Sequence, residues 1–409
     1  MNGPHKPRLR FFESSPAQQH IAEHDRYLFA PGPQTHRVNV IGIGTIGQEH
    51  IRVAELLGRF AVHGVYDSQG LSVDNLLAHM PAKQRGELVR YASLEDACLD
   101  PDVDGLMICT PNYTHYDLLK TAVRSEKPIF LEKPMATTVE DAAAILALSN
   151  DYPAFIQIGL QYRYKAPYVE ARHEILERRS IGDVAMLSMS EYRPPFMDKV
   201  GQWNKFAEFS GGTLVEKCCH YFDLLNLFAG SRPARVFAST GQAQMFTEFE
   251  YDGKRSDIDD HAFVIIDYRN GIRAAFALNM FSPQFHEELI VSGSDGRLIA
   301  TERFDFFRNK TATATVRIER GETGATRDVD VSYPDDIETS GHHGATFFEQ
   351  LAFAEQLAGR DTDCATPEEG FWSIVAAAAA QQSAAERQPI HVDEFLDERG
   401  LSALSGAES

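Results

Sequence analysis

Regular hydrophobic patterning begins at Val38. Residues 38–41, 60–66, 105–109 and 128–131 are nearly continuous in apolar side chains. Strands of a parallel sheet, covered on both faces, have that composition. Helical runs over 48–57 and 116–124 lie between them. Strands alternating with helices predict a doubly wound sheet. Thr137-x-x-Glu140 predicts a capping box that opens a helix over 139–148 and closes this first unit.

Past about residue 152 the period changes. Apolar and polar positions alternate over 154–163, 185–192, 235–240, 261–268, 272–280 and 288–293. Period-two segments in succession predict one large, open, mostly antiparallel sheet. Helical patterning returns over 346–356 and 367–387. The expected architecture is an α/β Rossmann domain followed by an α+β domain. Its expected parts are an N-terminal arm at 1–36, broken by Pro4, Pro7, Pro16, Pro31, Gly32 and Pro33, and a nucleotide domain at 37–152. A substrate and oligomerisation domain follows at 153–395, its last helices returning to the first domain, and then a tail at 396–409.

The turn after the first strand reads Gly42-x-Gly44-x-x-Gly47, with Thr45 and Ile46 inside it. Gly42 permits the tight turn, Gly44 lets the backbone approach a pyrophosphate at the helix N-terminus, and Gly47 allows close helix–strand packing. Asp67 ends the second strand, twenty residues past Gly47. A carboxylate there accepts hydrogen bonds from the ribose hydroxyls and repels a 2′-phosphate. The expected cofactor is therefore NAD. Ser68 blurs that preference, because a hydroxyl helps to hold a phosphate, but no arginine follows it.

Two more motifs fall at the carboxyl ends of strands, where doubly wound sheets bind ligands. They are Cys109-Thr110-Pro111-Asn112-x-x-His115 and Glu132-Lys133-Pro134. With the glycine turn, which continues to His50, and with Gly211-Gly212 before Glu216-x-x-x-His220-x-x-Asp223, they occur in an order and spacing that resembles the glucose–fructose oxidoreductase and inositol dehydrogenase (Gfo/Idh/MocA) family. The resemblance spans about residues 37–390. It implies a Rossmann domain, a large open sheet that often forms an oligomer interface, and a Lys133 that points at the hydroxyl or carbonyl being redox-cycled. A cis Lys133–Pro134 bond is compatible with it.

The residues themselves support that chemistry. A hydride leaves carbon as the hydroxyl loses its proton, so an acid–base group must stand within hydrogen-bond reach. Lys133 is one candidate, with a pKa expected to fall beside a positive nicotinamide ring. His220 is the other. Glu216, four residues earlier on the same expected helix face, either holds the histidine's tautomer or touches substrate, and family members usually carry Asp there. Asp223 is a candidate buttress. Thr110, Pro111, Asn112, His115, Glu132 and Gln161 complete the expected cofactor contacts. The adjacent Cys218 and Cys219 point to different faces, and no second Cys/His cluster completes four ligands, so no metal is expected.

Basic and aromatic residues interleave around the expected catalytic helix. Tyr162, Arg163, Arg193, Lys199, Trp203 and Lys217 are substrate candidates, with His343 of the Gly341-His342-His343-Gly344 loop. Aromatic faces stack on sugar rings, and Lys or Arg holds a sulfonate, carboxylate or phosphate. Ordinary solvated charges are the alternative. The expected activity is NAD-dependent hydride transfer at a ring hydroxyl of a sugar or polyol, with an anionic sugar as the sharper form. A second reading is a redox-neutral glycosidase that oxidises, eliminates, hydrates and reduces while NAD is recycled. Formal net charge is −20, which disfavours nucleic acid and anionic lipid as partners. Five scattered cysteines and the absence of an apolar leader after Met1 suggest a cytoplasmic protein. A broad open sheet suggests a homo-oligomer, a dimer or tetramer.

Overall fold

The computed structural model describes residues 36–305, 307–308 and 311–405. The expected arm lies outside these residues except for His36, as do the last four residues of the expected tail. Six parallel strands form the first sheet: β1 (His36–Ile41), β2 (Phe60–Tyr66), β3 (Val89–Arg90), β4 (Gly105–Ile108), β5 (Ile129–Glu132) and β6 (Ile156–Gly159). Their spatial order is β3-β2-β1-β4-β5-β6. That order reverses between β1 and β4, and the crevice at the carboxyl ends of those strands is where such sheets take a dinucleotide.

The alternation over 154–163 does not build a strand of the second sheet. Ile156–Gly159 pairs in parallel with β5, and every residue in it is buried. Gln157 mimics a solvent-facing position in sequence, but its amide donates to the Glu349 carbonyl inside the core at 3.1 Å. The helix after β5 starts at Val139, as expected, but its cap is one residue later than the motif suggests. Thr138, not Thr137, accepts from the Asp141 N–H. The reciprocal capping box belongs to Thr366 and Glu369, at the head of helix Pro367–Glu386.

The second sheet has nine strands. They are β7 (Val184–Tyr192), β8 (Pro233–Gly241), β11 (His261–Tyr268), β12 (Arg273–Asn279), β13 (Phe285–Gly293), β14 (Gly296–Phe304), β15 (Thr313–Glu319), β16 (Arg327–Val331) and β17 (Ile390–His391), while β9 (Glu250–Tyr251) and β10 (Lys254–Arg255) form a separate hairpin. Among the described residues of this sheet, only β7 and β12 pair in parallel. One face is packed by helices Cys219–Ala229 and Pro367–Glu386, so inward residues alternate with outward ones along each strand. Helix Ala345–Leu357 packs back on helix Thr45–Leu57 of the first domain. Phe353 makes edge-to-face contacts with Phe60, Phe130 and Phe155. The buried apolar residues therefore form one continuous core across both sheets. No helix among the described residues is long and apolar enough to cross a membrane.

Candidate active site

The glycine turn has the geometry its sequence predicts. Gly42 sits at φ +93°, and a Cβ there would lie 2.7 Å from the Cys109 carbonyl. A Cβ on Gly47 would lie 1.9 Å from the Gly42 oxygen, so helix and strand cannot separate to admit one. Gly44 is the opposite case, with nothing within 4 Å of the position a Cβ would take. That open side faces the helix start at exposed Thr45 and half-buried Ile46. Asp67 closes the turn, because its carboxylate accepts from the backbone N–H of Ile43 and of Gln69, both at 2.7 Å. Ser68 is exposed beside it.

At the ends of β4 and β6, Asn112 Nδ2 and Gln161 Oε1 are buried and have no hydrogen-bond partner among the described residues. Buried amide atoms need partners. With open space at Gly44, these two unpaired groups fit a bound dinucleotide. His115 is spent otherwise. Its two ring nitrogens face the carbonyls of Pro134 at 2.9 Å and Thr110 at 3.0 Å. It therefore ties the Thr110-Pro111 loop to the Lys133–Pro134 bond, which is cis.

Lys133 projects from the end of β5 toward the catalytic segment. Its ammonium donates to the Glu216 carbonyl at 3.1 Å and lies 4.0 Å from the Glu216 carboxylate. Burial works against the charged form, but Glu216 and Glu132 outweigh it, so the lysine pKa lies above its usual value. The protein alone thus holds Lys133 as an ammonium, and the expected fall concerns the lysine beside a bound nicotinamide. His220 is driven the other way. Burial first, then the charges of Lys133, Lys217, His342 and Lys165, push its pKa well below the usual histidine value. The two groups are thus held in opposite states, a charged ammonium and a neutral imidazole.

The expected single helix face carrying Glu216 and His220 is interrupted. Helix Thr213–Glu216 stops, Lys217 and Cys218 make a turn, and helix Cys219–Ala229 begins. Glu216 therefore partners Lys133 and does not hold the His220 ring, whose Nδ1 is buried without a partner. The ring is held by stacking. Tyr162 lies parallel to it, with centroids 4.0 Å apart and planes at 7°. Asp223 pairs with Arg163 and does not buttress the histidine.

Several substrate candidates are committed inside the protein. Arg163 is 3% exposed and binds Asp223 through two nitrogens at 2.7 and 2.5 Å, and Glu369 at 2.9 Å. It is a fastener between helices, not a substrate ligand. Tyr162 is buried under His220, and its hydroxyl accepts from Lys217 at 2.5 Å. Lys217 also lies 3.2 Å from Glu191, and burial lowers its pKa to about 8. His343 is tied to Glu302 at 3.0 Å, whereas His342, bound to Glu49 at 2.7 Å, is the loop histidine whose charge reaches His220. Both histidines sit at positive φ, +42° and +55°, an uncommon backbone that these ion pairs help to hold.

Arg193, Lys199 and Trp203 remain half-open. They lie in or beside the irregular segment 193–206, which turns at Gly201 (φ +65°) and Gln202 (φ +53°). The Trp203 ring meets Tyr113 of the cofactor loop edge-on at 6.4 Å. The buried Cys218 and Cys219 thiols are protonated, since burial pushes Cys219 up to about 12.

Residues 36–160 match the oxidoreductase family's NAD-binding Rossmann fold, and residues 173–392 match its C-terminal alpha/beta domain. The chain belongs to the Gfo/Idh/MocA oxidoreductase family. Its cofactor is NAD. Among curated relatives, a 1,5-anhydro-D-fructose reductase of Ensifer adhaerens is 26% identical over 365 residues, covering 88% of this chain and all of that one. A myo-inositol 2-dehydrogenase of Thermotoga maritima is 23% identical, covering 88% of this chain and 99% of the relative. A solved levoglucosan dehydrogenase in complex with NADH superposes with a TM-score of 0.70 at 18% identity, covering 87% of this chain and 99% of that one. The Gfo/Idh/MocA fold thus accounts for both sheets and their order. In this family setting the protein is an NAD-dependent oxidoreductase.

Of the residues that bear on the site, sequence reading passed over Glu49, Gln350 and Glu349. Gln350 and Glu349 lie in an ordinary helical run with no motif to mark them, and Glu49 is an unspecified position of the glycine motif directly before His50. Only the packing of two helices brought together from distant parts of the chain places Gln350 and Glu349 beside His50 and Glu132.

Proposed function

We propose that this enzyme oxidises a ring hydroxyl of an anionic sugar or polyol, with His220 as base and Lys133 as the cation that steadies the developing alkoxide. The observation that carries the reading is the opposed state of the pair: an ammonium fixed by Glu216 and a neutral imidazole stacked on Tyr162. The bound nicotinamide supplies the hydride acceptor. Gly44, Asp67, Asn112 and Gln161 hold the cofactor. Lys133 donates a hydrogen bond to the substrate oxygen, and His220 takes its proton.

The anionic substrate rests on local charge. Lys133 lies against Glu216, and Arg193 and Lys217 lie against Glu191, which leaves Lys199 as the cation of this group open to an anion. Lys199 has no short ion pair among the described residues, and burial lowers its pKa while Glu216 partly offsets that. Lys199→Met is expected to raise KM for sugar acids about tenfold or more while leaving neutral sugars within about threefold. Steady-state kinetics on a panel of free sugars, uronates, sulfosugars and their glycosides checks this. Equal losses on both classes would remove the charge from the reading. The same panel, run with catalytic NAD, separates net oxidation from redox-neutral glycoside cleavage. One reduced cofactor per product supports the dehydrogenase, and released aglycone without net reduction supports the glycosidase.

The reading includes a homo-oligomer. The outer face of the nine-stranded sheet carries Phe237, Phe263, Ile265 and Met186, between 41% and 68% exposed. Ile265 stands opposite Phe237 on β8 and Ala275 on β12, so the apolar row runs across three strands. A second copy of the same face is its natural cover. Phe263→Glu is expected to shift the protein toward monomer in light scattering at micromolar concentration. An unchanged mass would move the interface elsewhere.

A further inference from the structure

Behind β5 lies a second group of ionisable side chains, apart from the proton-transfer pair. Glu349, on helix Ala345–Leu357, is fully buried, and neither carboxylate oxygen has a partner among the described residues. Ligand-type atoms of Glu349, His50 and Glu132 lie within 4.8 Å of one another. Glu132 accepts from His50 Nε2 at 2.7 Å and from the Lys133 backbone N–H at 2.9 Å.

The donor set fits a metal in composition but not in tautomer. The Gln350 amide nitrogen donates to the His50 carbonyl and to His50 Nδ1, both at 2.9 Å. Turned over, the amide would set its oxygen against that carbonyl. Nδ1 is therefore the acceptor, and Nε2 carries the hydrogen given to Glu132. Neither nitrogen has a lone pair left for an ion. The remaining way to balance a second buried carboxylate is a proton.

Every other group facing Glu349 agrees with that. Glu49 approaches from helix Thr45–Leu57, already paired with His342 and Thr346. Cys109 approaches from the end of β4 and Tyr164 from the turn after β6, both neutral. Among the described residues no cation touches Glu349. Burial and then the charges of Glu132 and Glu49 hold its carboxyl well above the usual carboxylate range.

We propose that Glu349 carries a proton at neutral pH and releases it when the positively charged nicotinamide of NAD+ is bound, whereas NADH binds without that release. This rests on the placement of the ring beside Lys133 given above. A positive ring near Glu132 offsets the repulsion that keeps Glu349 neutral, and the proton passes to the buffer. By linkage, NAD+ affinity weakens relative to NADH as pH falls, by at most about tenfold per pH unit.

Calorimetric titration of the whole enzyme in buffers of different ionisation enthalpy counts the protons. The expected result is a larger release for NAD+ than for NADH, a difference that Glu349→Gln abolishes. Glutamine matches the neutral acid in size, and circular dichroism verifies the fold. Lys133→Met should keep the difference, which distinguishes Glu349 from the lysine as its source. Infrared spectroscopy should find a buried carboxylic-acid C=O band that Glu349→Gln removes. Equal release for both cofactors in the wild type, or a difference that survives in a folded Glu349→Gln, overturns the proposal. Failure of NAD+ to bind would overturn the ring placement, and the proposal with it.

Discussion

Lys133→Met is expected to lower kcat by about 10²- to 10⁴-fold, with KM for NAD changed by less than about threefold. Methionine keeps the length and apolar stem and removes the ammonium alone. That ammonium donates to the Glu216 carbonyl in the protein and is the only cation fixed at the end of β5 among the described residues. Its interaction with substrate strengthens as the hydroxyl oxygen gains negative charge, so the loss falls on kcat and not on binding. Steady-state kinetics with a separate cofactor titration distinguish the two. A matching rise in KM for NAD would mean that Lys133 serves the cofactor site instead.

His220→Gln is expected to cost a similar factor and, more tellingly, to change the acid side of the pH profile. In the folded protein the imidazole is neutral because burial and the nearby charges of Lys133 and Lys217 oppose its protonation. A base works in its unprotonated form, and a lowered pKa keeps that form populated as pH falls. For the wild type, oxidation kcat/KM should therefore stay level through neutral pH and decline only well below the usual histidine pKa of about 6.5. In His220→Gln that decline should vanish with most of the rate. A wild-type profile that falls at or above the ordinary histidine value would contradict a neutral, desolvated base. The same physics bears on stability. A histidine with a depressed folded pKa favours the folded state above its unfolded value and loses that contribution as pH falls toward the folded one.

These expectations draw on features of unequal legibility. The Rossmann half was readable because each cue is local: a glycine turn that steric contact at Gly42 and Gly47 makes obligatory, and strands apolar on both faces. Lys133, Glu132 and His220 were found by motif, and the structure brings Lys133 to the segment that carries His220. What failed was anything decided by a distant partner. Gln157 looked like the polar half of an alternating strand, yet it is buried because the Glu349 carbonyl, 192 positions away, accepts its amide. Arg163 and Lys217 looked like ligands for an anion, since sequence cannot show that Asp223 and Glu191 already neutralise them. The break at Lys217–Cys218 removed the expected shared face of Glu216 and His220, and no proline or glycine inside the segment announces it. Of the strands β14–β16, which the sequence reading omits, β15 alternates cleanly, with Ala314, Val316 and Ile318 buried between Thr315, Arg317 and Glu319, whereas β14 hides its period because its inward Glu302 is charged.

The central claim is transfer of a hydride from a sugar carbon to NAD, assisted by Lys133 and His220. The most direct measurement incubates the enzyme and NAD with carbon-deuterated members of the sugar and sugar-acid panel, then reads the reduced cofactor by mass spectrometry. Deuterium in the reduced nicotinamide, formed by the wild type and suppressed in both Lys133→Met and His220→Gln, is the predicted result. Reduced cofactor without label, or product formed at the wild-type rate by either variant, would contradict the account.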